Sequence, residues 1–258
     1  MQFQFYKYQG TGNDFIILDN RSGEFPKDDT RLVERFCDRK FGVGADGLIL
    51  LEDDEATDFE MVYYNADGNE SSMCGNGGRC IVAFANFLGI IANETSFMAT
   101  DGLHRAEIKD GKISLQMIDV NQIRQKPEYY FLNTGSPHHV QLVTDVASYD
   151  VFSEGKKLRY GLYGQKGSNI NFVEQKADNL FEVRTYERGV EDETLACGTG
   201  VTAVALAMHQ SKKLISNQAT IKVLGGELEV RFEEDNEGYK NIWLIGPAVQ
   251  VFNGSIEL

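Results

Sequence analysis

Met73-Cys74-Gly75-Asn76-Gly77 and Ala196-Cys197-Gly198-Thr199-Gly200 are one short signature written twice, 197 − 74 = 123 residues apart. Each cysteine follows a glutamate by four positions, Glu70 and Glu193, and each leads into an apolar stretch. The register extends outward. Thr11-Gly12 and Thr134-Gly135 lie 134 − 11 = 123 apart, and Gly44-Ala45-Asp46 and Gly167-Ser168-Asn169 keep the same offset. Phe59-Glu60-Met61 and Phe181-Glu182-Val183 differ from it by one residue, and Asp101-Gly102 and Gly225-Gly226 lie at 124. So long a period is not that of a solenoid or propeller. It predicts two pseudo-symmetric domains, residues 1–120 and 121–246, with the tail 247–258 returning to the first and a ligand in the cleft they form.

Composition narrows the class. A chain of 258 residues that is 42% hydrophobic can hold one large or two modest cores. Its net charge of −14 argues against nucleic acid, which needs a basic footprint, and against an anionic membrane surface. No run of some eighteen apolar residues is present, so no membrane span is expected. The N-terminal Gln2-Phe3-Gln4-Phe5-Tyr6 alternates like a strand rather than a signal peptide. Four cysteines in so long a chain are no secreted disulfide framework, and a reducing cytoplasmic setting is expected. With four histidines and no C-x2-C spacing of Cys74 and Cys80, no metal site is expected.

Apolar periodicity predicts strands near 2–8, 14–19, 46–52, 59–65, 95–100, 103–109 and 112–118, with Asp101-Gly102 and Asp110-Gly111 as hairpin turns. A helix is expected near 29–39, capped by Asp28, Asp29 or Thr30. A second, near 77–89, is apolar almost all round and therefore buried. The other half repeats this, with strands near 139–144, 169–175, 180–187, 219–224, 227–234 and 240–245 and a buried helix near 200–212. Pro127 and its polar neighbours mark the crossover. The expected fold is α+β: two domains, each an antiparallel sheet curled around a central buried helix.

A cysteine just before a buried helix has chemical meaning. The helix start offers unpaired N–H groups and the positive end of the dipole, where a carboxylate can dock. Gly75, Gly77, Gly198 and Gly200 leave room for a ligand at the backbone. A cysteine there has its thiolate favoured, in the range useful to a general acid or base. Two such sites place a sulfur on each face of one carbon, and the outcome is inversion of a stereocentre. Cys37 and Cys80, inside helices, read as small buried hydrophobes.

With these residues in view, the chain resembles diaminopimelate epimerases. The most specific blocks are Asn65-Ala66-Asp67-Gly68-Asn69-Glu70-Ser71-Ser72-Met73-Cys74-Gly75-Asn76-Gly77-Gly78-Arg79-Cys80 and Tyr186-Glu187-Arg188-Gly189 continuing to Cys197-Gly198-Thr199-Gly200. Gly10-Thr11-Gly12-Asn13-Asp14-Phe15, Gly42-Val43-Gly44-Ala45-Asp46-Gly47 and Gly246-Pro247-Ala248-Val249 support them, so the likeness spans the chain. It implies interconversion of LL- and meso-2,6-diaminopimelate, in lysine and peptidoglycan precursor synthesis, without pyridoxal phosphate or other cofactor. Cys74 and Cys197 match the family's base and acid. Gly75-Asn76 and Gly198-Thr199 match amides that hold the reacting carboxylate. Asn13, Asn65, Asn169, Glu187 and Arg188 match substrate-binding groups, Arg188 being able to grip a carboxylate with two parallel bonds. His138 and Glu187 match residues that tune the thiols. The resemblance also implies a homodimer, with the strand near Phe252 suited to that contact.

Two departures stand out. Ser136 occupies a position where many members have Asn, and Gly47 one where some have Gln. Two other readings remain open to the sequence. One is a racemase or epimerase of another amino acid such as proline or hydroxyproline. The other is a non-catalytic amino-acid-binding or redox-sensing protein.

Overall fold

The computed structural model describes residues 2–257. They fall into two compact units, one running to Leu115 and taking back the tail from Pro247, the other Gln116–Gly246.

Unit one contains β1 (Gln2–Gly10), β2 (Asn13–Asp19), α1 (Thr30–Cys37), β3 (Gly47–Glu52), β4 (Phe59–Asn65), β5 (Glu70–Ser71), α2 (Gly75–Phe87), β6 (Glu94–Ala99), β7 (Gly102–Lys109) and β8 (Lys112–Gln116). Helix α1 starts where Asp29 accepts from the Leu32 amide at 3.1 Å, and it buries Val33, Phe36 and Cys37 at helical spacing. Strands β2, β3 and β4 are apolar at consecutive positions because both faces of the sheet are covered. Ile16, Leu18, Leu48, Leu50, Val62 and Tyr64 form one cluster with Val33 and Phe36 of α1. The alternate residues face α2, where a Cβ added at Gly77 would lie 3.3 Å from Ile49 and 3.4 Å from Met61. That helix has no solvated face over most of its length, as its composition requires.

Unit two contains β9 (Ile123–Gln125), β10 (Tyr130–Asn133), β11 (Pro137–Leu142), α3 (Val151–Gly161), β12 (Asn169–Ala177), β13 (Leu180–Glu187), β14 (Asp192–Thr194), α4 (Gly198–Gln210), β15 (Gln218–Val223), β16 (Gly226–Asp235) and β17 (Gly238–Gly246). The last strand, β18 (Val249–Glu257), pairs with β1 in unit one. Neighbouring strands of unit one therefore run β18-β1-β2-β3-β4-β6-β7-β8. Those of unit two run β9-β10-β11-β12-β13-β15-β16-β17, the same order strand for strand. Helix α4 touches β10–β13 and β15–β17, so the sheet wraps around it.

The fold is α+β, with a buried central helix in each unit. The sheets, expected to be antiparallel, are mixed. β2–β3 and β4–β6 are parallel, as are β11–β12 and β13–β15. A helix inserted between two strands returns the chain to the end from which it left, so the strands it joins run the same way. Helix α3 has no counterpart in the sequence-based expectation. Its glycines obscure it, yet Gly155 is required: a Cβ there would collide with the Tyr186 side chain on β13. Its cap, Asp150, accepts from the Ser153 amide at 3.1 Å.

Candidate active site

In unit one, Cys74 is the N-cap of α2, and the Gly77 N–H donates to its Sγ at 3.2 Å. The Thr11-Gly12 hairpin turn, with φ of 53° and 88°, hands the chain to β2 at Asn13. The Asn13 amide is fully oriented. Its Nδ2 donates to Asp46 at 2.6 Å, so its Oδ1 faces the helix start. There it accepts from Asn76 Nδ2 at 3.2 Å and stands 3.9 Å from the Cys74 thiol. Asn76 Oδ1 accepts in turn from Arg79 at 3.1 Å. Arg79 is completely buried, and its other acceptors are the Gly75 carbonyl and Thr11 hydroxyl at 3.1 Å and the Pro247 carbonyl at 3.4 Å. All four are neutral oxygens. Burial pulls this guanidinium below its usual range, with Cys80 and Cys74 opposing. Beyond Asn13, burial would raise the Asp14 carboxyl, but Arg39 and Lys7 outweigh it and hold it at about 2.

Asn65 ends β4 and its side chain, half-buried, makes no hydrogen bond among the described residues. Gly47 leaves no gap, since a Cβ there would meet the Tyr63 ring. Glu70 accepts from Thr100 at 2.8 Å, and Glu193 forms a two-pronged pair with Arg184, both bonds 2.6 Å. These two signature glutamates stand opposite Tyr64 and Tyr186 on the short strands β5 and β14. They anchor the chain ahead of each cysteine.

In unit two, Cys197 occupies the N-cap position of α4 and is buried, with Thr199 Oγ1 3.5 Å from its sulfur. Thr199 Oγ1 lies 2.9 Å from His138 Nε2 and 3.3 Å from Ser136 Oγ. Ser136 also lies 2.9 Å from His138 Nε2 and accepts from Asn169 Nδ2 at 3.0 Å, so it belongs to this cluster. Asn169 Oδ1 accepts from the Arg188 N–H at 2.8 Å, and the exposed Arg188 side chain donates to the Lys166 carbonyl at 3.0 Å. Glu187 Oε2 accepts from Thr194 at 2.8 Å. Burial, with the Arg188 charge added, pushes the His138 imidazole down to about 3. It is therefore neutral at physiological pH.

The structure thus gathers Asn13, Cys74, Gly75 and Asn76 in one unit and His138, Asn169, Arg188, Cys197, Gly198 and Thr199 in the other, with Glu187 beside them. Sequence reasoning assigned no role to Arg79, Thr11, Asn171 or Thr185. Asn171 carried a usable signal: Asn169 and Asn171 alternate in a strand of buried residues and so share a face. Cys37 and Cys80 are buried, and burial raises both thiols, Cys37 to about 12. None of the four cysteines is in a disulfide. Among the described residues no three metal-binding side chains cluster, and no helix is long and apolar enough to cross a membrane.

The sequence profile of the family described as diaminopimelate epimerase matches residues 5–122 and 130–251. A protein named diaminopimelate epimerase from Flavobacterium psychrophilum is 60% identical over 97% of this chain and 99% of its own length. One of the same name from Chlorobaculum tepidum is 43% identical over 96% and 99%. Among solved structures, a PhzF-family phenazine biosynthesis protein from Bacillus anthracis superposes with a TM-score of 0.81 at 14% identity, covering 100% of both chains. A hydroxyproline epimerase from Agrobacterium vitis gives 0.70 at 13%, over 100% of this chain and 93% of that one. At such identities the likeness is one of fold.

Proposed function

We propose, from the premise that this chain belongs to the diaminopimelate epimerase family and epimerises diaminopimelate, that Cys74 and Cys197 exchange the α-proton as a base and acid pair. The observation that carries this is the recurrence, once per unit, of a cysteine capping a buried thirteen-residue helix. A thiolate takes the hydrogen from the α-carbon, and the other thiol returns one to the opposite face. The product has inverted configuration, and the two sulfurs have exchanged protonation states. The carboxylate next to that carbon resists carbanion formation. N–H groups of Gly75-Asn76 and Gly198-Thr199, at the positive helix ends, offset the developing charge.

Asn13 and Asn65 present amide groups to the substrate, and Arg188 grips its distal carboxylate. Asn169 contributes by holding the Arg188 backbone. Glu187, beside Arg188, and His138, through Thr199, tune the site. The protein acts in the cytoplasm, where its cysteines, none of them in a disulfide, stay reduced. It is a homodimer that meets along β18, whose Val249, Val251 and Phe252 are exposed. Its binding partner is the small-molecule substrate, not nucleic acid or membrane.

The test is incubation with LL-diaminopimelate in heavy water without added cofactor. The expected result is isomer exchange with deuterium entering the α-carbon. Cys74→Ser and Cys197→Ser should each slow it about 10²–10⁴-fold with unchanged far-UV circular dichroism. Near-normal turnover of either variant rules out the two-thiol scheme.

A further inference from the structure

His138 sits on a neighbour that dictates which of its nitrogens carries the hydrogen. Asn171, on β12, is fully buried. Its Nδ2 lies 2.8 Å from the His139 carbonyl, and a carbonyl only accepts, so the amide orientation is fixed. Its Oδ1 takes the Thr185 hydroxyl at 3.0 Å from the other side. The second hydrogen on Nδ2 points at His138 Nδ1, 3.2 Å away. Nδ1 must therefore be the accepting nitrogen, and the single hydrogen of the neutral ring is on Nε2.

That hydrogen faces two hydroxyls, Thr199 and Ser136, each 2.9 Å from Nε2. With Nε2 occupied, neither hydroxyl can spend its own hydrogen on the imidazole. Ser136 already accepts from Asn169. Where Ser136 takes the imidazole hydrogen as well, both its lone pairs are filled, so Thr199, 3.3 Å from it, keeps its own hydrogen for Cys197 Sγ, 3.5 Å away. A thiolate at Cys197 gains from that donor, whereas a Thr199 hydroxyl turned toward a bare Nε2 would withhold it. The charged and titratable groups facing the cluster are Arg188 and Cys197.

We propose that Asn171 is a positioning residue that locks His138 as the neutral Nε2–H tautomer, and that this tautomer commits the Thr199 hydroxyl to Cys197. The second half rests on the reading of Cys197 as an acid/base group; the first does not. The sequence context agrees. At the matching register of unit one, Phe15 pairs with Gly47 and Ile49 with Tyr63, where His138 pairs with Asn169 and Asn171 with Thr185. The polar trio is thus not demanded by the fold.

The experiment is nitrogen-15 NMR of the histidine side chains in the resting enzyme, with the His138 signal identified by its loss in His138→Gln. The expected spectrum is a neutral ring protonated at Nε2 and unchanged from about pH 5 to 9. A ring protonated at Nδ1, or an imidazolium at neutral pH, overturns the proposal. Asn171→Asp places an acceptor at Nδ1. It should move the hydrogen there, lower kcat roughly tenfold to a hundredfold with a smaller change in KM, and add a new acid limb to the pH profile. A purely structural Asn171 would leave the tautomer in place as activity fell, and that result also overturns the proposal. Should Asn171→Asp not fold, the wild-type spectrum still decides the lock. Thr199→Val then tests the relay: the His138 spectrum stays as it was and kcat falls, whereas unchanged kcat defeats the relay. Because the spectrum needs no substrate, failure of the lock and failure of the two-thiol reaction are separate results.

Discussion

Arg79 and Thr202 occupy the same place in the two halves, 202 − 79 = 123, and donate to the same backbone oxygen of their helices, Gly75 at 3.1 Å and Gly198 at 3.0 Å. One does so with a buried guanidinium, the other with a hydroxyl. Around them the buried polarity changes sides. In unit one it enters from the helix, through Arg79 and Asn76, while the sheet offers Phe15, Ile49 and Tyr63. In unit two it enters from the sheet, through His138, Asn171 and Thr185, while the helix offers small hydroxyls. The backbone and the sulfur recur in both halves, and the polar groups around each sulfur differ. A fixed charge lies near Cys74, and a neutral hydrogen-bond relay serves Cys197.

Truncating the two members of this pair is the strongest way to break the comparison. Arg79→Leu leaves Asn76, Thr11 and the Gly75 carbonyl without their donor, and a loss of about 3–5 kcal/mol in urea unfolding is expected. Arg79→Lys should not restore it, because an ammonium lacks the fork that reaches these acceptors. Thr202→Val should cost only about 1 kcal/mol. Equal costs at the two positions would show that the halves do not differ in this way.

Acid separates the halves next. Burial holds His138 down to about 3 and His139 to about 4, both from an ordinary 6.5. Below about pH 6.5 the unfolded chain binds protons that these folded imidazoles refuse. Stability is therefore complete above that pH and declines as pH falls toward 4, by roughly 2 kcal/mol for each imidazole by pH 5. Urea midpoints measured from pH 8 to 5 test this. The decline should localise to amides of unit two in hydrogen exchange.

Gly77 and Gly200 give a smaller contrast. A Cβ at Gly200 collides with Asn171 Oδ1, whereas one at Gly77 meets the movable ends of Ile49 and Met61 at 3.3 and 3.4 Å. Gly200→Ala should cost about 1–3 kcal/mol and disturb the His138 signal, while Gly77→Ala should be nearly neutral. The smallest effect belongs to Arg39, a largely exposed partner of Asp14 and Asp46. Arg39→Ala should cost less than about 1 kcal/mol, and less again in high salt.

Much of this was readable in advance for a physical reason. A buried helix must be apolar all round, so both central helices announced themselves. Strands covered on both faces read as unbroken apolar runs, and β2 and β3 did. Helix α3 was obscured because close packing on Tyr186 demands a glycine, the residue that spoils a helical pattern. Its position nonetheless lay one repeat beyond α1. Parallel pairing was missed because period-two alternation carries no direction. The cysteines and their flanking amides stood out by repetition. Asn171 and Arg79 did not, since their importance lies in partners brought near from distant positions. The repeat was also slightly out of step. By register Asn169 answers to Gly47 rather than Asp46, a slip of one residue that only strand pairing reveals.

Strand β18 gives the chain an unusual assembly history. The outermost strand of unit two, β9, comes just ahead of β10 in sequence, but its counterpart in unit one is drawn from residues 249–257. On the ribosome, β1 has to wait for a strand translated after the whole of unit two before its sheet is whole. The half synthesised later can finish earlier. Removing residues 249–257 would then damage the unit built from the earlier half of the sequence and spare the one that directly precedes them.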